Sequence, residues 1–127
     1  FRPADCYFAI SPGDREQLGA RIVRTFLTVW DATGGAPLGT LIRSVASHES
    51  AARMMREFVA TALAQRIVRP VAPDRHEMRA ALCGTQIIGL GMIRYVLRLE
   101  PIASAPHDEV VITVAPTLQR YLTGPLD

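Results

Sequence analysis

The feature that most constrains the fold lies in the last third of the chain. From Pro73 to Gly124, two long apolar helical patterns are joined by a short Pro/Ser break. Apolar residues recur there at steps of three and four, the period of a helix and not of a strand. Each pattern is richer in apolar residues than one buried stripe needs, which points to burial on a second side, against another subunit. In the first of the two, Gly84, Ile88, Gly91 and Tyr95 advance by four, three and four residues, the spacing of a packed seam. Glycine inside a helix costs roughly 1 kcal/mol relative to alanine, and close approach of another backbone is the usual reason to keep it. In the second, Val111, Val114, Ala115, Leu118, Tyr121 and Leu122 form a broad apolar face. Two such helices per subunit, paired about a two-fold axis, make a four-helix-bundle interface. Periodicity leaves the alternative open that both are buried within one subunit.

Upstream the same period continues. Ser11-Pro12-Gly13-Asp14 reads as a helix start, with a capping serine, proline at the first helical position and an acid three residues on. Leu18, Ile22, Phe26, Val29 and Trp30 then share one stripe, with Arg15, Glu16, Arg21, Arg24 and Asp31 off it, and Gly34-Gly35 ends the helix. Ala36-Pro37 opens a shorter second helix carrying Leu38, Leu41, Ile42 and Val45. Ser47 reads as a cap or hinge before a third, from about Glu49 to Arg69, with Met54, Met55, Phe58, Ala62 and Leu63, stopped by Pro70-Val71-Ala72-Pro73. Asp74 and Glu77 form a capping-box-like start for the fourth helix, which runs to about Leu99. The fifth has Asp108 and Glu109 in its first turn, Pro116 inside it and Gly124-Pro125 as its stop. No alternating strand pattern competes, so the expectation is one all-α domain of five helices over residues 1–127, with 1–10 a linker or the end of an earlier helix.

Composition removes several classes of function. The longest uncharged stretch of the most apolar region, Ala80 to Ile93, is 14 residues, short of the 18 or so of a spanning helix. There is no signal-peptide pattern at the start, so a cytoplasmic protein with no membrane partner is expected. The net charge of +2 comes from fourteen arginines and no lysine, as GC-rich coding would produce, and the arginines sit mostly among acids. They read as a solvated face and not as a nucleic-acid patch. Cys6 and Cys83 are 77 positions apart with no metal-ligand spacing near either, so two free thiols and no metal are expected. His48-Glu49 reads as a helix start, and His76 and His107 as solvated. Phosphate-loop, dinucleotide and Glu-x-x-His patterns are missing, which leaves no catalytic constellation and no cofactor. The chain begins at Phe1 with no helix start, as a fragment of something longer would.

The segments RAALCGTQIIGLGMIRYVLRLEPIA and VAPTLQRYLTG resemble the C-terminal ending of the TetR family of bacterial transcriptional regulators, and the stretch from Leu38 to Phe58, notably His48 to Met54, resembles it more loosely. The resemblance implies a regulatory domain whose last two helices build a homodimer interface. It also implies a cavity among the central helices for a small hydrophobic or amphipathic effector, coupled to DNA release by a repressor. DNA binding would belong to an N-terminal helix-turn-helix domain with no counterpart in this sequence. The candidate lining is Phe26, Trp30, Leu41, Val45, Met54, Met55 and Phe58, with Thr85 and Gln86 as polar groups. For each apolar member the competing reading is plain core. For the whole chain it is a helical dimerisation or scaffold module without a ligand.

Overall fold

In the computed structural model, which describes residues 14–127, the chain forms five helices. Phe1 to Gly13, including the expected Ser11-Pro12-Gly13 start, lie outside the described residues. Asp14 is itself the cap: its carboxylate accepts the Glu16 N–H at 3.0 Å and opens a 3₁₀ turn, Arg15–Gln17. That turn runs into α1, Leu18–Ala32. Then follow α2, Ala36–Val45; α3, Glu49–Glu57; α4, His76–Gly91; and α5, His107–Thr123.

Two helices change character along their length. Past Glu57, α3 continues through Phe58–Val68 as a π-helix, and past Gly91, α4 continues through Met92–Val96 in the same way. A π-helix of eleven residues is unusual, since these occur mostly as single turns. Its wider coil turns Val59, Ala60, Ala64 and Gln65 towards α4, where they form one wall of a groove. Nothing in the residue spacing announces this change of winding.

The helix ends are set by local chemistry. Gly34 and Gly35 take φ of +64° and +77°, left-handed backbone that glycine adopts without strain. Gly35 has a second reason: a Cβ there would lie 2.3 Å from the Tyr95 ring. Pro37 sits in the first turn of α2. His48, not Ser47, holds the N-cap position of α3. Asp74 does not cap α4 either, because Arg75 occupies that position in left-handed backbone with φ 45°. The Asp74 carboxylate instead accepts Arg79 Nε at 3.2 Å and Nη2 at 2.9 Å.

α4 is the centre of the packing. It lies against α5, against the π-helical part of α3 and, at its far end, against α2, while α1 packs along α5. The closest approach is α1 on α5. A Cβ on Gly19 would fall 2.8 Å from the Ala115 carbonyl and 2.9 Å from the Gln119 nitrogen, both backbone atoms. Gln119 seals that crossing by accepting the Gly19 N–H at 2.7 Å and donating to the Arg15 carbonyl at 3.0 Å. Ile22, Val23, Leu27, Leu63, Val68, Cys83, Leu118 and Leu122 are fully enclosed. Burying each large aliphatic side chain contributes about 1.5–3 kcal/mol. Burial pushes the Cys83 thiol up to about 12, against a smaller opposing pull from Arg79.

The seam expected to face a second subunit faces inward. Gly91 abuts Leu38, Ile42 and Trp30, Gly84 abuts Val59, and Tyr95 packs on Gly35 and Trp30. Ile88 lies beside α3 with Met55 and Phe58. Val111, Leu118 and Leu122 are buried in the protomer, and Val114, Ala115 and Tyr121 lean on the same core. The glycines do accommodate close neighbours, but those neighbours are the chain's own helices.

Candidate functional site

Two arginines of α4 fix the frame. Arg79, only 2% exposed, donates to the Tyr121 carbonyl at 3.1 Å and the Arg120 carbonyl at 3.5 Å. A cation there satisfies terminal carbonyls of α5 and suits the negative end of its dipole. Near the other end of the helix, in its π-helical continuation, Arg94 spans three elements. Its Nη1 donates to the Ile102 and Ala105 carbonyls at 2.8 and 2.9 Å, and its Nη2 to Asp31 at 3.0 Å.

Asp31 is the hub of that corner. Besides Arg94 it accepts the Tyr95 hydroxyl and pairs with His107 Nε2, so α1, α4 and α5 meet on one carboxylate. Burial alone would raise its pKa. The hydrogen bonds from Arg94, Tyr95 and His107, with the charge of Arg94, hold it below the ordinary carboxylate value. Burial and the neighbouring Asp31 push the Tyr95 phenol up. Asp31, expected only to lie off the apolar stripe, and His107, expected in solvent, are joined. Arginine 79 and 94 likewise depart from the solvated-face reading. The only sequence sign was Arg94-Tyr95 inside the RYVLRLEP stretch; Asp31 carried none, because its partners are 63, 64 and 76 positions away.

The expected ligand lining separates into two regions. Phe26, Trp30 and Phe58 pack on one another, with ring centroids 5.0 Å apart for Phe26–Trp30 and 5.9 Å for Phe26–Phe58. The space they share with Leu41, Met55 and Ile88 is a void of about 20 Å³. A second void, beside Trp30 and Gln86, is about 10 Å³. These hold little more than one water each, so the interior among the aromatics is core as it stands. Met54 is exposed, and Val45 is half-buried away from both voids. The voids are small for a physical reason: the aromatic stack fills the volume that the helical stripes mark out.

The room lies next door. Between α3 and α4 runs a groove of about 810 Å³, lined by Met55, Arg56, Val59, Ala60, Ala64, Gln65, Glu77, Ala81, Gly84, Thr85 and Ile88. Met55 and Thr85 are the two expected lining residues it contains. Its size comes from short side chains on both helices: Ala60 and Ala64 on the π wall, Ala81 and Gly84 opposite. A groove of this volume with mostly apolar walls and few polar groups has the character of a small-molecule site. The polar groups are largely engaged already. Arg56 pairs with Glu49, Thr85 donates to the Leu82 carbonyl at 2.6 Å, and Gln65 accepts from Arg69 at 3.1 Å.

The class that this architecture defines is an all-α domain organised around a central helix with an apolar groove on one side. Residues 16–122 match the family model described as the tetracyclin repressor-like C-terminal domain, and the chain belongs to that family. The fold matches the crystal structure of a TetR-family regulator from Streptomyces coelicolor A3 with a TM-score of 0.72 and 30% sequence identity, over 95% of this chain and 81% of that one. No curated protein matches significantly. The family is one of transcriptional regulators and not of enzymes. Among the described residues no helix is long and apolar enough to cross a membrane.

Proposed function

We propose that this chain is the effector-binding and dimerisation part of a TetR-type repressor. A small hydrophobic or amphipathic molecule occupies the α3–α4 groove, and its occupancy releases DNA from a helix-turn-helix domain outside residues 14–127. The observation that carries this reading is the groove of about 810 Å³ between helices that otherwise pack tightly. For occupancy to act as a signal, the ligand must prefer one arrangement of α3 and α4 over another. The long π-helical wall is suited to that, because rewinding it towards an α-helix would move every side chain it turns to the groove.

Dimerisation is assigned to the outward side of α4 and α5. Met78, Leu82, Gly89 and Ile93 recur at steps of four, seven and four residues, and none belongs to the protomer's buried core. A Cβ on Gly89 would meet nothing within 4 Å, so the protomer gives no reason for a glycine there. Ile112 on α5 is 72% exposed. A second copy seated on this stripe would account for both.

The groove reading is tested with the uncharged fluorescent probe N-phenyl-1-naphthylamine and the Gly84→Leu variant. A Cβ at Gly84 lies 3.3 Å from Val59 Cγ2, so a leucine there projects into the groove. Micromolar binding by the native chain and a loss of about tenfold or more in the variant, with unfolding unchanged, are expected. Equal binding by both would remove the groove from the function.

A further inference from the structure

We propose that the groove opens inward, on displacement of Met55 and Ile88, to a floor formed by the indole of Trp30. Its occupant is then an elongated, uncharged apolar molecule with one hydrogen-bond acceptor, such as the carbonyl of a ketone, ester or lactone, that takes the Trp30 N–H. This rests on the groove reading above and narrows it to a ligand class.

Three observations carry it. First, the Trp30 Nε1 is buried and has no hydrogen-bond partner, although the residue is only 2% exposed. An unsatisfied buried donor costs about 1–3 kcal/mol, and such groups in a native fold need an explanation. A water is a poor one. The void on the groove side of Trp30 is lined by apolar side chains apart from the indole itself, whereas a buried water needs two to four polar partners, and the second void, beside Gln86, is only about 10 Å³. Second, Met55 and Ile88 line both the groove and the void beside Trp30, so side chains alone separate the two spaces. Methionine is unbranched and readily changes rotamer, which makes Met55 the movable part of that partition. Third, the charges present select against an ionic head. No charged residue lines either void beside Trp30. At the groove, Arg56 is already paired with Glu49, and Glu77 disfavours an anion. Thr85 has spent its hydroxyl proton on the Leu82 carbonyl. Arg56 and Gln65 keep donors only at the exposed rim of the groove, and the indole N–H is the buried donor without a partner.

The experiment compares 2-octanone with 2-methyl-1-octene, which replaces the carbonyl oxygen by a methylene, on the native protein and on Trp30→Phe, by calorimetry. The quantity read is the ketone-to-olefin affinity ratio, which cancels any loss of packing common to both ligands. A fall in that ratio of about threefold to tenfold in Trp30→Phe is expected, the worth of one neutral hydrogen bond. Trp30 is the sole tryptophan of the chain, so a second readout uses the native protein alone. Its emission shifts to the red with the ketone and not with the olefin. An unchanged ratio, or no ketone-specific shift, overturns the Trp30 floor while leaving the groove as a site for apolar ligands. Failure of both ligands to bind the native chain overturns the groove reading as well.

Discussion

The two sides of α4 were built by opposite rules. Towards α1 and α5 it presents Arg79, Ala80, Cys83, Ile87 and Arg94, all buried, and its ends are clamped by the two arginines. Towards α3 it presents Ala81, Gly84, Thr85 and Ile88, which leave a groove open. Both sides are apolar, so hydrophobicity does not distinguish them. Side-chain volume does: interiors pack to near-crystalline density only when facing residues fill the space between the helices. The clamped side holds the domain together, and the side with short residues has room for something else.

That contrast can be broken most severely at the clamp. Asp31→Asn leaves Arg94 buried without its counter-charge and weakens the bonds from Tyr95 and His107. A loss of about 2–3 kcal/mol in urea unfolding at pH 7 is expected. The effect has a sign in pH. Because the folded Asp31 pKa is lowered, its contribution is complete above the unfolded value near 4 and disappears as pH falls through the folded value. The difference in stability between the native chain and Asp31→Asn should therefore stay constant above pH about 4 and shrink as pH falls below it. A difference that does not shrink would mean the ionised carboxylate is not what holds the corner.

A smaller break lies at the α1–α5 crossing. Gly19→Ala places a Cβ against backbone of α5, which cannot rotate away as a side chain can. The expected cost is about 1–3 kcal/mol, read by thermal or urea unfolding. Gly91→Ala is the internal control, because its new Cβ meets the ends of Leu38 and Ile42 side chains, which can shift. The helix propensity gained there offsets much of the crowding. If Gly91→Ala proves the costlier of the two, the tight crossing has been misplaced.

The smallest effect sharpens the comparison at the surface. Gly89→Ala adds a Cβ into open space and should stabilise the protomer by up to about 1 kcal/mol. Gly89→Leu should raise the dimer dissociation constant by about tenfold or more in sedimentation velocity without destabilising the protomer. A dimer indifferent to Gly89→Leu would move the interface off this stripe.

Much of this was written in the order of residues. Five helices, their breaks at Gly34-Gly35, Pro70–Pro73 and Gly124, and the first-turn acids of α5 follow from period and end chemistry, which are local. The resemblance of GLGMIRYVLRLEP and APTLQRYL to TetR-family endings points to the family in the residues themselves. The site was less legible. Met55 and Thr85 were picked out, but Ala60, Ala64, Ala81 and Gly84 define the groove by being small, and smallness on a helix has no period of its own.

Sequence alone thus determined the helices, which residues are apolar, and that some glycine contact between helices must exist. Tertiary structure decided which neighbour each apolar stripe meets. It turned the Gly84–Tyr95 seam inward, filled the space among Phe26, Trp30 and Phe58, and gathered Asp31, Arg94, Tyr95 and His107 at one corner. The reason is physical. A helical period fixes the direction of a side chain on its own helix to within a turn, whereas the partner across the interface depends on crossing geometry and on volumes contributed by residues far away in the chain.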